Sequence, residues 1–209
     1  MIYRPFTDYE GVDSGLWWSD NPYEDVSPQN KPASMGLDVT VARPLTQENT
    51  DFVSRHWAVA SGKLDEIGDV FQDFQSFQIV VSEKVAEVIE RFEPGLHDLV
   101  PIPNAWSLGS QQRIDKKLYF LNVHATARTV DMERADVTWV VRRSDGKKIP
   151  VLSAISTKKS VVYPNAEEGR HLRRDDITLA AFMSGALVAA MQDAQVLGFN
   201  FRPCTPVLH

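Results

Sequence analysis

The chain has 209 residues, enough for one large domain or two small ones, and its 43% hydrophobic content can build a core. Its most apolar segment, residues 179–191, is too short to span a membrane, and its first ten residues lack the basic and apolar regions of a secretory signal. A single cysteine excludes an internal disulfide and fits a reducing compartment. We therefore expect a cytoplasmic protein that does not associate with a membrane.

Charge is distributed unevenly along the chain. The first hundred residues contain 18 acidic and 7 basic side chains, whereas the remainder contains 10 acidic and 15 basic ones. Such polarity can steer a charged partner, but it also arises when two solvated faces of one fold partly neutralise each other. The net charge of −6 argues against non-specific binding of nucleic acid, which depends on neutralising phosphates. One group of basic residues could still form a nucleic-acid patch: Arg142, Arg143, Lys147, Lys148, Lys158, Lys159, Arg170, Arg173 and Arg174.

The first third of the chain gives only weak structural signals. Residues 1–36 are rich in turn-forming and aromatic side chains and show little periodicity. Residues 37–41 alternate between apolar and polar side chains, which predicts a strand. Residues 69–77 read as helical or irregular, and the β-branched run that follows them, residues 78–81, predicts another strand.

A helix after this strand is the clearest local prediction. Ser82 is placed to cap the helix with its hydroxyl group, and Glu83 lies at the positive end of the helix dipole. Four apolar residues recur with helical spacing and form one stripe: Val85, Val88, Ile89 and Phe92. Pro94-Gly95 ends the helix. We therefore predict a helix that covers a sheet on one side and meets water on the other.

The rest of the chain predicts further strands and one more helix. Strands are expected at residues 99–102, 118–123, 136–141, 148–155, 161–163 and 199–203. Asp145-Gly146 predicts a tight hairpin turn, and residues 179–194 are apolar nearly all round, which predicts a largely buried helix. The expected fold is therefore α+β, with a mostly antiparallel sheet and a few packed helices. No linker is visible, so we expect a single domain over residues 1–209.

Motifs for catalysis, metal binding or cofactor binding are not recognisable. The histidines lack the short spacing of a metal site: His56, His97, His124, His171 and His209. We interpret Asp175-Asp176 as charge at the start of the predicted C-terminal helix, and Cys204 as a buried or idle thiol. We therefore expect no catalytic residue, no metal and no cofactor. One alternative stays open, a small enzyme in which His97 or His124 meets two carboxylates in a deep pocket.

Several short motifs connect these elements with a known family. The motifs are Val80-Val81-Ser82-Glu83, Glu93-Pro94-Gly95, His97, Pro101, the run from Leu118 to Val123, and Gly198-Phe199-Asn200-Phe201. Their order along residues 69–201 resembles the bacterial immunity proteins of polymorphic toxin systems, in particular the branch typified by a myxobacterial immunity-protein domain. The resemblance implies a non-enzymatic cytoplasmic protein that binds a cognate toxin domain and blocks its active site. A structural or assembly subunit of a phage or secretion apparatus is a further alternative.

Residues 11–26 form the predicted partner-binding stretch. The stretch combines aromatic side chains, which are enriched in binding hot spots, with acidic ones, which would speed the encounter with a basic toxin. The predicted contact residues are Trp17, Trp18, Asp20, Tyr23, Glu24 and Asp25. Alternatively, the two tryptophans anchor an N-terminal strand to the core. Because adjacent residues of a strand point to opposite faces, one of them could be exposed even then.

Overall fold

The computed structural model describes residues 1–7, 13–23, 42–73, 79–141, 146–152, 160–163, 166 and 169–207. Within these ranges the chain forms three α-helices: α1 (Gln47–Arg55), α2 (Glu83–Phe92) and α3 (Gly185–Asp193). The strands in chain order are β1 (Ile2–Thr7), β2 (Asp13–Ser19), β3 (Trp57–Ala60), β4 (Ile67–Asp73), β5 (Ile79–Ser82), β6 (Asp98–Ile102), β7 (Ala105–Ser107), β8 (Gln112–Arg113), β9 (Leu118–Asn122), β10 (Thr126–Ala127), β11 (Val137–Val141), β12 (Lys148–Leu152), β13 (Val161–Val162), β14 (Leu172–Asp175), β15 (Ala181–Ser184), β16 (Phe199–Pro203) and β17 (Thr205–Pro206). The strand predicted at residues 37–41 lies outside the described residues.

Most of these strands belong to two mixed sheets. The larger sheet has the order β6-β9-β5-β4-β2-β3-β7-β8, and the smaller has the order β10-β14-β15-β1-β16. Two further pairs, β11-β12 and β13-β17, form separate two-stranded sheets. The pairs β2-β4, β3-β7, β10-β14 and β13-β17 are parallel, and the other pairs are antiparallel. The structure therefore confirms the predicted α+β class with mostly antiparallel pairing.

The larger sheet separates two hydrophobic cores. Its alternate residues point to opposite faces, so Phe71 and Val80 pack with α1 on one face, whereas Val70 and Val81 pack with α2 and α3 on the other. The second core also includes Met183 and other residues of the smaller sheet. The two helices and the smaller sheet thus cover one face of the larger sheet, and α1 covers the other.

Helix α2 has the predicted bounds, but its N-terminus is held differently from the prediction. Ser82 occupies the N-cap position with extended backbone angles (φ −73°, ψ 164°), yet its side chain makes no capping bond to the helix. Its hydroxyl donates instead to Asp69 Oδ1 at 2.8 Å, and the Glu83 amide donates to the Lys117 carbonyl at 3.0 Å. The predicted apolar stripe is buried against the sheet. The chain turns at Gly95, whose φ of +66° favours glycine.

The C-terminal helix is shorter than predicted, and the segment before it was assigned wrongly. Residues 176–178 form a turn, β15 follows, and α3 begins only at Gly185. Ser184 divides the apolar run, because its side chain accepts a hydrogen bond from the Leu187 amide and caps the helix. The buried face of α3 consists of Leu187, Val188 and Met191. An apolar run of this kind cannot be divided into strand and helix from periodicity alone.

Two other regions can be compared with the predictions from sequence. The predicted helical or irregular segment at residues 69–77 is strand β4 as far as Asp73, and residues 74–78 lie outside the described residues. The predicted hairpin is confirmed, since β11 and β12 pair antiparallel from Val137↔Leu152 to Val141↔Lys148. Gly146 in the connection has a φ of +71°, which favours glycine, and residues 142–145 lie outside the described residues.

Candidate partner-binding surface

A tight turn after β2 presents Tyr23 to solvent. The Ser19 hydroxyl donates to the Asn21 carbonyl at 2.8 Å and accepts from the Asn21 amide at 3.1 Å. The Asn21 side-chain oxygen then accepts from the Tyr23 amide at 3.0 Å. Asparagine and serine stabilise turns in this way because their short side chains replace a backbone partner. The turn leaves the Tyr23 side chain 71% exposed.

Tyr23 forms a cluster with two half-buried tryptophans, and we name Tyr23, Trp57 and Trp106 the aromatic patch. The ring centroids of Tyr23 and Trp106 are 4.9 Å apart at an interplanar angle of 71°, and those of Tyr23 and Trp57 are 6.5 Å apart. The two tryptophan rings are 6.3 Å apart and nearly perpendicular. The two contacts of Trp106 are edge-to-face, an arrangement that the charge distribution of aromatic rings favours. The three rings therefore hold one another in a defined arrangement at the surface.

The pairing of three strands assembles this patch. Trp57 of β3 pairs with Ser19 of β2, and Trp106 of β7 pairs with Val59, two residues after Trp57. Directly paired residues share a face, as do residues two apart on a strand. The two patch tryptophans therefore lie on the sheet face opposite α1. Sequence reasoning missed both, because they are 49 residues apart and only the parallel β3-β7 pairing brings them together.

The adjacent tryptophans of β2 point to opposite faces. Trp17 pairs with Val59, so it lies on the face of the aromatic patch, and it is half-buried there. Trp18 is fully buried in the first core, with its ring centroid 5.6 Å from that of Phe52 and 6.1 Å from that of Phe120. The strand thus buries one tryptophan completely and leaves the other partly accessible.

An acidic side chain lies next to this turn. Asp20 is 87% exposed in its side chain, and its Oδ1 lies 3.0 Å from His56 Nε2. The His56 ring stacks on Phe52 at a centroid distance of 3.9 Å, and its Nδ1 lies 2.8 Å from the Phe52 carbonyl oxygen. An ion pair this exposed contributes little to stability. The two other predicted acidic contacts, Glu24 and Asp25, lie outside the described residues.

The histidine and carboxylate pairs of the enzyme alternative are present and lie beside each other, with the ring centroids of His97 and His124 6.1 Å apart. The buried His97 Nε2 lies 2.8 Å from Glu93 Oε2, and His124 Nε2 lies 3.9 Å from Asp98 Oδ1. An open cleft of about 510 Å³ adjoins Glu93, but among the described residues neither His97 nor His124 lines it.

Glu93 instead connects α2 to the smaller sheet. Its carboxylate accepts from the amides of His171 at 2.5 Å and Leu172 at 3.0 Å, in addition to the contact with His97. Burial alone would raise the pKa of Glu93, but these hydrogen bonds outweigh burial and lower it. The charged form is therefore held in place as a structural link.

Asp69 is a second buried carboxylate, and sequence reasoning did not identify it. Its side chain is 2% exposed and accepts from the Ser82 hydroxyl and from the Leu197 amide. The ammonium groups of Lys84 and Lys116 lie 3.0 and 2.9 Å away. One carboxylate thus joins β4, the start of α2, the approach to β9 and the segment after α3.

Asp175 is a third buried carboxylate, and its interpretation as charge at a helix start was wrong. It lies at the end of β14, fully buried, with Oδ2 accepting from the amides of Thr129 and Val130, each at 2.9 Å. Its Oδ1 accepts from the amide of Thr178 at 2.7 Å and from its hydroxyl at 2.9 Å. Asp175 therefore fixes the turn before β15 and the loop after β10.

Two of the described residues of the predicted basic patch are largely withdrawn from solvent. Arg173 is fully buried, donating to the Thr129 hydroxyl and the Arg170 carbonyl, and burial lowers the pKa of Arg174. Four members of the group lie outside the described residues: Arg142, Arg143, Lys158 and Lys159. Among the residues that the structure does describe, no group of three or more potential ligands could hold a metal ion.

A comparison with protein families agrees with the fold and motifs described above. The model of the Immunity protein family (Imm11) matches residues 30–205, which is most of the chain. The chain therefore belongs to the Imm11 family of immunity proteins, as the motifs around α2 and β9 indicated. No curated protein sequence matches it. Within the described residues, no helix is both long and apolar enough to cross a membrane.

Proposed function

We propose that this protein neutralises a cognate toxin domain in the cytoplasm by binding it directly. Membership of the Imm11 immunity family is the observation that carries this proposal. Three charge-bearing groups, Asp69, Glu93 and Asp175, are buried and hold the fold together. We therefore propose action by binding rather than by catalysis, with residues 1–209 as one domain.

We further propose that the aromatic patch and Asp20 form the toxin-binding surface. Tyr23 is the most exposed member of the aromatic patch, and tyrosine and tryptophan dominate binding hot spots because they bury a large area at a small entropic cost. Asp20 supplies an exposed negative charge beside the cluster, and Glu24 and Asp25 follow in the sequence. This surface suits a partner that is basic around an apolar pocket.

The two tryptophans of β2 have different roles in this proposal, because they differ in burial. Trp18 is completely buried, so it would reach a partner only if the strand left the core. We therefore assign Trp18 to stability and keep the half-buried Trp17 as a residue at the edge of the surface. Alanine at Trp18 should cost about 3–5 kcal/mol of unfolding free energy, whereas alanine at Trp17 should cost less.

Co-expression with the product of the neighbouring toxin gene tests the function itself. The proposal requires that this product be toxic alone and harmless when the protein is present. Persistent toxicity, or a harmless neighbouring product, would contradict it. The purified, catalytically inactivated toxin then serves as the ligand for measurements of affinity.

Variants of the patch test the surface. Tyr23→Ala should keep the melting temperature, because Tyr23 is exposed, and should weaken binding by about 2 kcal/mol. Tyr23→Phe keeps the ring and is the matched control. Asp20→Asn should slow association mainly at low salt, with Asp65→Asn as an exposed acidic control. Parental affinity in both Tyr23→Ala and Trp57→Ala would remove the patch from the interface.

A further inference from the structure

An open cleft lies where the end of α2 faces the segment before β14. The end of α2 and the turn after it contribute Phe92, Pro94 and Leu96 to the cleft, and the segment before β14 contributes Arg170 and His171. The volume of the cleft is about 510 Å³, which is within the range of pockets that bind small ligands. Among the described residues that line the cleft, none belongs to the aromatic patch. The cleft is therefore a separate candidate site.

Glu93 also borders the cleft, but its carboxylate already has partners within the protein. Its oxygens accept from the amides of His171 and Leu172 and lie 2.8 Å from His97 Nε2, and the residue is buried. These bonds hold the end of α2 against the segment before β14, so they also fix the two sides of the cleft relative to each other. Within the described lining, no other residue is acidic. The accessible polar side chains of the cleft are therefore those of Arg170 and His171.

Both of these side chains offer hydrogen-bond donors. Arg170 is exposed, and its guanidinium group forms no ion pair within the described part of the chain. The His171 Nδ1 lies 2.8 Å from the Ser184 hydroxyl oxygen, which also accepts from the Leu187 amide. The described residues offer the Ser184 hydroxyl no other acceptor, so we assign its proton to the bond with Nδ1 and the proton of the neutral ring to Nε2. Nε2 has no partner among the described residues, and it therefore remains available as a donor.

We infer that this cleft binds a carboxylate group that carries an apolar substituent. The carboxylate accepts from the Arg170 guanidinium and from His171 Nε2, and hydrogen bonds to a charged group are roughly twice as strong as neutral ones. The apolar substituent contacts the half-buried Phe92, whose ring packs edge-to-face against that of His171 at a centroid distance of 4.9 Å. Two sources can supply such a group: an acidic residue of the toxin domain beside an apolar one, or a free organic acid. Only the first source rests on the proposed function, whereas the site itself does not.

Titration of the protein alone with 3-phenylpropionate tests the site without the toxin. This probe joins a carboxylate to an aromatic ring, and the NMR signals of the His171 ring, identified by their absence from His171→Asn, report its binding. We expect a saturable shift with a dissociation constant in the millimolar range, and about tenfold weaker binding to Arg170→Gln. Lys117→Gln is the matched control and should bind the probe like the parent, because Lys117 is an exposed cation that pairs with Glu83 at the opposite end of α2.

A neutral analogue of the probe isolates the role of the charge. The amide 3-phenylpropanamide has the same ring without the carboxylate, and it should produce no saturable shift. Equal shifts with the acid and the amide, or equal affinities of the parent and Arg170→Gln for the acid, would overturn the inference. Arg170 is exposed, so its replacement should keep the parental melting temperature and leave the comparison between folded proteins.

The inactivated toxin then distinguishes the two sources of the carboxylate. If the toxin supplies it, Arg170→Gln should weaken toxin binding about tenfold, Arg170→Lys should lose less because it keeps the charge, and excess 3-phenylpropionate should compete with the toxin. If the probe binds but Arg170→Gln keeps the parental affinity for the toxin, the ligand is a free organic acid and the site stands. If the parent protein does not bind the toxin at all, the proposed function fails, while the titration with the probe still decides the inference about the cleft.

Discussion

Replacing Asp69 by asparagine tests whether one buried carboxylate joins distant parts of the fold. The Ser82 hydroxyl donates to Oδ1 at 2.8 Å, and the Leu197 amide donates to Oδ2 at 3.0 Å. Lys84 donates to Oδ2 at 3.0 Å, and Lys116 Nζ lies 2.9 Å from Oδ1. Asparagine keeps the size of the side chain, but it removes the charge and turns one acceptor into a donor.

The expected loss follows mainly from the Ser82 hydroxyl, which stays buried. A hydrogen bond to a charged group contributes about 1.5–3 kcal/mol, and a buried donor left without an acceptor costs about 1–3 kcal/mol. The lysine side chains are 44% and 37% exposed, so they can return to water and add little. Ser82 is 1% exposed, so its hydroxyl cannot find a water molecule as a new partner. We expect Asp69→Asn to lower the unfolding free energy by about 3 kcal/mol, which corresponds to a fall in Tm of about 6–12 °C.

The same carboxylate should make stability depend on pH in a defined direction. Burial alone would raise the pKa of Asp69, but hydrogen bonds from Leu197, Lys116, Lys84 and Ser82 outweigh burial and hold the pKa well below its usual range. An unfolded aspartate has a pKa of about 3.9. Since the folded pKa is lower, the stabilisation is fully present above the unfolded pKa and is lost as the pH falls through the folded pKa. The difference between parent and variant should therefore shrink below about pH 4.

Urea unfolding of both proteins at neutral pH and at about pH 3 measures both effects. Asp65→Asn is the control, because Asp65 is exposed and its replacement should change stability by less than about 0.5 kcal/mol. An Asp69→Asn variant as stable as the parent at neutral pH would refute the structural role of the carboxylate. An equal deficit at both pH values would refute the argument from its pKa.

Four further substitutions or treatments test other parts of the fold. Leu187→Ala should cost roughly 2–5 kcal/mol in urea unfolding, since the side chain is 1% exposed, and a stable variant that loses toxin binding would make α3 an interface instead. Ser184→Ala should cost about 1 kcal/mol through loss of a helix cap. Ser82→Ala should instead act through Asp69, so that its effect should nearly vanish in the Asp69→Asn background, and additive losses would contradict this. Cys204 is buried, and burial raises the pKa of its thiol to about 12, so a thiol reagent should label it only after unfolding; rapid labelling of the native protein would be contrary evidence.

Helix α2 was predicted with its correct bounds because every local signal agreed. The β-branched run before it, the apolar stripe and Pro94-Gly95 all lie within a short window of sequence. The capping bond was nevertheless wrong, since the Ser82 hydroxyl reaches back to Asp69, 13 positions earlier in the chain. Periodicity and propensity describe the backbone of one element, but they do not reveal which distant side chain competes for its polar groups.

The candidate surface was predictable only in part, for a similar reason. Alternation along β2 implied that Trp17 and Trp18 face opposite ways, but the register with β3 determines which of them enters the core. Trp57 and Trp106 lie on strands that pair in parallel, and this pairing cannot be recognised from the sequence near either residue. A turn built by Asn21 then places Tyr23 against both. The stretch around β2 was identified from its composition, whereas its partners on β3 and β7 required the sheet.

Buried carboxylates in this protein share one structural task. Asp69, Glu93 and Asp175 each accept hydrogen bonds from backbone amides of a segment far away in the sequence. A buried charge with perturbed titration is often taken as a sign of an active site. Here the amide donors give the buried carboxylates a structural role as links between distant segments. Substitutions at these three positions should therefore weaken protection by destabilising the protein, whereas a substitution at Tyr23 should weaken it in a protein that is as stable as the parent. Measuring stability beside protection consequently separates residues that maintain the fold from those that contact the toxin.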